Sequence, residues 1–192
     1  MGGPCFLIEK RPDTGRPGPK LKKTEGPACT DNFQIAKFEY EGKEWLSVEQ
    51  AYQAYKFGDE LKREEIRSAA PYLEESSFDY GQRVWRMGQQ GDSMSTIDAV
   101  ETMYRLCSAK LAHHPEMCEE LLATNDIVIY GGPSTGQWSK WNGLIQTQLR
   151  KELQSGNTPG DSNLCGEDLL AALRAPLDDW IELGVIRRDE AP

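Results

Sequence analysis

The run WLSVEQAYQAYKF, from Trp45 to Phe57, constrains this chain more than any other stretch. Ser47 and Gln50 stand at the S-x-x-Q spacing of a capping box, which supplies partners for the free N–H groups of a first turn and predicts a helix starting there. At about 100° per residue, Glu49, Tyr52, Gln53 and Lys56 fall in one sector, with Val48, Ala51, Ala54 and Tyr55 mostly opposite. The row therefore holds an acid, a phenol, an amide and an amine. With a rise of about 1.5 Å per residue, the Cα atoms of Glu49 and Lys56 lie roughly 10 Å apart. That is too far for the usual i,i+4 surface pair and suits two groups reaching one ligand from either end. Such a pair can do acid–base work, or present an amine nucleophile whose proton a carboxylate handles. Periodicity alone favours the plainer alternative, a solvated face of everyday helix residues.

Around this helix the chain reads as an α+β fold, predominantly helical with a few short strands. CFLIEK at the start is a strand, and the Pro- and Gly-rich PDTGRPGPKLKKTEGP after it is a loop. FEYEGKEW, with Gly42 in its middle, is a small hairpin. GDELKREEIRSAAP is a polar, partly helical segment stopped by Pro71, and FDYGQRVWRMGQQG breaks the pattern with its three glycines. A second strong helix starts at Ser95, where S-T-I-D repeats the capping box and Ile97, Val100, Met103, Tyr104, Cys107 and Leu111 follow at helical spacing. Pro115 suits the first turn of a short helix, NDIVIYGG reads as a buried strand, PSTGQWSKWNG as a loop, and GLIQTQLRKEL as a helix. The expected organisation is a catalytic domain over residues 1–153, a linker over 154–163 and a C-terminal helical appendage over 164–192.

The loop YGGPSTGQWSKWNG offers a second candidate for ligand contact. Gly131 and Gly132 let a backbone approach a ligand closely and can present N–H groups to phosphate. Trp138 and Trp141 are costly in a small polar loop unless they pack on something flat, and Asn142 can bond a sugar or cap the next helix. The competing reading is a tight connection whose tryptophans fold back on the core. RVWRMGQ is equally two-sided: Met87-Gly88 as a bend, Trp85 as core.

Several chemistries lose support. The sequence holds no G-x-S-x-G, H-E-x-x-H or G-x-G-x-x-G. The five cysteines are scattered without a C-x-x-C, and His113 and His114, the two histidines, are adjacent and point apart on a helix, so neither a disulfide framework nor a metal site is expected. A formal charge of −9 disfavours non-specific binding to nucleic acid or membrane. Lys10, Arg11, Arg16, Lys20, Lys22 and Lys23 nonetheless concentrate positive charge near the start, giving either a solvated loop or limited phosphate contacts. The first ten residues lack the basic start and apolar run of a signal peptide, so a cytoplasmic protein is expected, with a nuclear one also open.

Taken together, these pieces resemble the NADAR family, or YbiA-like proteins. FEYEGKEWLSVEQAYQAYKF is similar to its most specific motif, G-K-x-[WY]-x-[ST]-x-E-[HQ]-x-[YF]-Q-A-x-K-[FY]. DNF at Asp31 to Phe33, FGDELKREEIR, RMGQ and WNGLIQTQLR also fit in order, so the resemblance runs from Cys5 to Leu153. It implies an N-glycosidase for ribosylated or ADP-ribosylated compounds, with no cofactor. The acid–amine pair falls on Glu49 and Lys56, and ligand-lining positions fall on Asn32, Gln53, Met87, Gly88 and Asn142. Phe33, Tyr52, Trp85, Tyr130, Gly131, Gly132, Trp138 and Trp141 complete the candidate substrate site. Bacterial members often carry His where this chain has Gln50, and W-G-D-G where it has Tyr130-Gly131-Gly132-Pro133. The latter pattern looks more like the branch acting on ADP-ribosylated guanine in nucleic acid or nucleotide. Glycosidases of ribosylated pyrimidine intermediates of riboflavin synthesis, and a non-catalytic ADP-ribose-binding module, are the alternatives. A monomer meeting an ADP-ribose-containing substrate, with no membrane partner, is expected.

Overall fold

The computed structural model describes residues 3–11 and 20–192. Strand β1 (Phe6–Lys10) lies between β2 (Leu21–Glu25) and β5 (Val128–Tyr130), antiparallel to both, with Ile8 opposite Lys23 on one side and Val128 on the other. A separate hairpin joins β3 (Phe38–Tyr40) to β4 (Lys43–Trp45). Its two turn residues, Glu41 and Gly42, have φ of 52° and 70°, the left-handed pair that matches the twist of a two-residue hairpin. The helices are α1 (Val48–Tyr55), α2 (Glu60–Arg67), α3 (Ser77–Met87), α4 (Thr96–His113), α5 (Pro115–Leu122), α6 (Trp138–Gln154), α7 (Gly166–Arg174) and α8 (Leu177–Glu182). Among the described residues no helix is long and apolar enough to cross a membrane.

Helix α1 is the centre of the molecule. It packs on α2, α3 and α4, and every residue from Val48 to Ala54 is buried, on the polar row as well as the apolar one. The solvated-face reading of that row is therefore ruled out. Ser47 caps the helix as its spacing predicts, its hydroxyl accepting from Gln50 N–H at 3.1 Å. The second half of the box is displaced by one residue: Gln50 Oε1 accepts from Leu46 N–H at 2.8 Å. Gln50 Nε2 meanwhile donates to the carbonyls of Ile66, Arg67 and Ala69, ending α2 from the side. Gln50 is thus a structural strut.

Three elements differ from the sequence reading. Leu21–Glu25 forms a strand within the expected loop, because β1 offers it a full ladder; residues 12–19 of that loop, including Arg16, lie outside the described residues. FDYGQRVWRMGQQG is mostly helix α3, begun by a Ser76 cap on Asp79 N–H, with Gly81 retained because a β-carbon there would overlap the Phe33 ring. Helix α6 starts at Trp138, five residues before the expected GLIQTQLRKEL, so Trp138, Trp141 and Asn142 sit on its first turns. Gly143 permits this, since a side chain there would collide with the Ile129 carbonyl of β5.

The chain beyond Gln154 runs without regular structure to α7. Arg105 on α4 donates to the carbonyls of Ser162 and Leu164, and Glu101 accepts from Gly166 N–H at 2.8 Å. Leu169, Leu170 and Leu173 then bury themselves against α4 and α6, each contributing about 1.5–3 kcal/mol.

Replacing Gln50 removes a partner from one half-buried N–H and three carbonyls at once. Gln50→Ala is expected to cost about 3 kcal/mol, a fall of roughly 6–12 °C in the thermal melt.

Candidate active site

A cavity of about 1040 Å³ opens beside α1. Glu49, Tyr52, Gln53 and Lys56 form one wall, Trp85 and the segment from Gln89 to Ile97 a second, and Trp138, Trp141 and Asn142 a third. The far side is closed by Leu170 and Arg174 of α7.

The α1 wall is a single chain of hydrogen bonds. Gln53 Nε2 donates to Glu49 Oε1 at 2.7 Å, and Gln53 Oε1 accepts from Lys56 Nζ at 3.0 Å. Lys56 Nζ also donates to the Gly88 carbonyl at 2.6 Å. One turn of helix brings each pair into reach, so the row predicted from periodicity is physically connected, with Gln53 as its link. Glycine is needed at position 88 because a β-carbon would overlap Gln53 Oε1, and at 91 because it would come within 2.7 Å of Lys56 Cβ. Gly88 therefore supports the amide and the amine. Met87 packs on the core beside it, outside the cavity lining.

Burial acts on the two ends in opposite senses. It raises the Glu49 carboxyl above its ordinary 4.5, with the Gln53 hydrogen bond and the Lys56 charge opposing. It lowers the Lys56 amine below its ordinary 10.5, with the Glu49 charge opposing. Both groups move toward their neutral forms, so a protonated acid and an unprotonated amine are brought nearer to working pH. Burial also raises the Tyr52 phenol, which remains a hydrogen-bond donor.

Asn32 holds the site from behind. Its carbonyl accepts from Glu49 N–H at 2.9 Å, seating the first turn of α1, and its Nδ2 donates to Asn142 Oδ1 at 3.3 Å. Asp31 Oδ1 accepts from Phe33 N–H at 2.8 Å, and the buried Lys110 Nζ donates to the carbonyls of Cys29 and Asp31. Asn32 thus positions Asn142 and lies outside the cavity lining, as does Phe33, which packs between Gly81 and the tilted ring of Phe78.

The glycine loop does something other than cradle phosphate. Gly131 N–H donates to the Ser139 carbonyl at 2.8 Å, and a β-carbon at Gly131 would lie 2.5 Å from that same oxygen. A β-carbon at Gly132 would lie 2.8 Å from the Pro4 carbonyl, and Tyr130 packs on Trp180 at 5.6 Å between ring centroids. Tyr130, Gly131 and Gly132 are therefore packing residues that draw β5 against the start of α6. That contact aims Trp138, whose ring meets Tyr52 edge-on at 5.4 Å, and the buried Trp141 into the cavity. Sequence reasoning missed the α7 wall, since leucine spacing in LLAAL marks a helix without saying what its other face meets, and it missed the wall from Gln89 to Ile97 for want of any motif.

Among solved structures, the chain is similar to the Escherichia coli protein YbiA, determined by NMR, with a TM-score of 0.51 and 26% identity over 67% of this chain and 79% of that one. This chain has a YbiA-like fold. No protein-family model matches it, and no curated protein does. The YbiA-like fold agrees with the α+β, mostly helical architecture expected from the sequence.

Burying an ionised Glu49 costs stability, and the sign of that cost depends on pH. Below the ordinary 4.5 the carboxyl is protonated folded or unfolded and the cost vanishes; as pH rises through the raised folded value, wild type loses stability. Glu49→Gln is therefore expected to raise the melting temperature at pH 7 by a few degrees, on the order of 1 kcal/mol. Melts of the two proteins should converge near pH 4; a variant less stable than wild type at pH 7 contradicts this account.

Proposed function

We propose that this chain is an N-glycosidase that removes ADP-ribose from ADP-ribosylated guanine bases. The observation that carries the reading is the Glu49–Gln53–Lys56 chain lining a cavity large enough for a dinucleotide-sized ligand. A binding module has no use for a buried acid and amine shifted toward neutrality. The volume also favours ADP-ribose over a singly ribosylated pyrimidine.

An N-glycosidic bond breaks through an oxocarbenium-like state and requires a proton for the departing base. Lys56 Nζ already donates to two acceptors, Gln53 Oε1 and the Gly88 carbonyl. In the neutral amine these use both N–H groups and leave the lone pair free to attack. Lys56 Nζ bonds to the anomeric carbon as the bond to guanine breaks, and the guanine nitrogen takes the proton held by Glu49. The ring C–O bond then opens, its oxygen taking a proton from Nζ, to give an imine. Water adds to the imine and releases ADP-ribose and the free amine. Glu49, once ionised, accepts the proton of that water. Tyr52 and Gln53 orient ribose hydroxyls, Asn142 adds a further polar contact, and Trp138, Trp141 and Trp85 supply flat surfaces for adenine or guanine.

Release of ADP-ribose from a guanine-ADP-ribosylated oligonucleotide tests the reaction. Wild type is expected to release it, with Glu49→Gln and Lys56→Ala at least 100-fold slower, in line with the loss of general-acid or nucleophilic assistance. Borohydride should trap ADP-ribose on wild type and leave Lys56→Arg unlabelled. Activity of Lys56→Arg without a trapped adduct would eliminate the imine, and wild-type activity confined to ribosylated pyrimidines would move the substrate to the alternative.

A further inference from the structure

An ADP-ribose-containing substrate in this cavity would need a partner for its phosphates, and the lining residues narrow the choice. Gly131 N–H is committed to Ser139, and Gly132 packs under Pro4. Among the described residues, two cationic side chains line the cavity, Lys56 and Arg174. Lys56 is bound by Gln53 and Gly88 and shifted toward the neutral amine. Arg174 is held differently. Its guanidinium stacks on the Trp141 ring, 5.4 Å from the centroid, and its Nε donates to the Pro192 oxygen at 3.0 Å. Arg63, Arg67, Arg83 and Arg105 each pair with a glutamate; among the described residues Arg174 pairs with no aspartate or glutamate, and its terminal nitrogens make no hydrogen bond. Glu167, on the same helix and also lining the cavity, leaves it unpaired.

Aromatic contacts order these groups across the cavity. Tyr52 of the acid–amine row meets Trp138, Trp141 follows one turn along α6, and Arg174 stacks on Trp141. A ligand with its reacting ribose at Glu49 and Lys56 passes the tryptophans before reaching the guanidinium. A planar fork free at its outer edge matches paired phosphate oxygens.

We propose that Arg174 binds the diphosphate of a nucleoside diphosphate-linked ribose, so that α7, which lies beyond the stretch of family resemblance, selects such ligands over singly phosphorylated riboses. This rests on the glycosidase reading above and names the group that would set its substrate class. Calorimetric titration of wild type, Arg174→Gln and Arg174→Lys with ADP-ribose and with ribose 5-phosphate tests it, with thermal melts confirming folding. Loss of a charge-assisted phosphate contact should weaken ADP-ribose binding by about 10- to 100-fold in Arg174→Gln and less in Arg174→Lys, while ribose 5-phosphate affinity stays as in wild type. If Arg174→Gln does not fold, Arg174→Lys carries the comparison, because it keeps the charge and loses the fork. Unchanged ADP-ribose affinity, or an equal loss for both ligands, overturns the assignment. Either result alongside wild-type cleavage of ADP-ribosyl guanine leaves the glycosidase reading standing; failure of wild type to bind ADP-ribose overturns both.

Discussion

A helix buried on every side must satisfy its polar side chains internally, and α1 does so through two separate sets of bonds. Gln50 spends its amide on α2 and the hairpin exit, while Gln53 spends its own on Glu49 and Lys56. The first set holds the fold; the second holds an acid and an amine apart at a fixed distance. Because an unpaired buried polar group costs about 1–3 kcal/mol, neither glutamine can be exchanged for an apolar residue without loss. The rest of the structure follows from seating this helix: Asn32 caps its first turn, Gly88 comes close enough to accept from Lys56, and α3 and α4 close over it.

The same geometry separates a reactive site from a salt bridge. Glu49 and Lys56 do not neutralise each other directly; an uncharged amide stands between them. Each therefore feels desolvation more than attraction, and each is displaced toward the form that chemistry at neutral pH requires. A direct ion pair would have stabilised both charges and lowered the reactivity of both groups.

How much of this was legible depended on the range of the interactions. The α1 row was readable because periodicity and capping are local, and so were the caps at Ser95 and the turn at Gly42. The glycines of YGG were read as ligand contacts, yet the structure uses them for strand-to-helix packing, since composition cannot say which backbone will approach a glycine. Helix α3 escaped because Gly81 looked like a breaker when its vacancy belongs to Phe33, a residue 48 positions earlier in the sequence. Arg174 escaped for the same reason: its stack on Trp141 joins two distant segments that no local pattern relates.

That distance has a consequence for how the site comes into being. The acid and the amine lie within one helix formed early in the chain, but the walls that enclose them come from residues 85 to 97, 135 to 142 and 167 to 174. Without α7 the cavity would lack the wall formed by Glu167, Leu170 and Arg174, although α2, α3 and α4 would still pack on α1. The acid and the amine are thus neighbours in the sequence while their enclosure is not, so a truncation before α7 would leave the pair in place in an opened cavity.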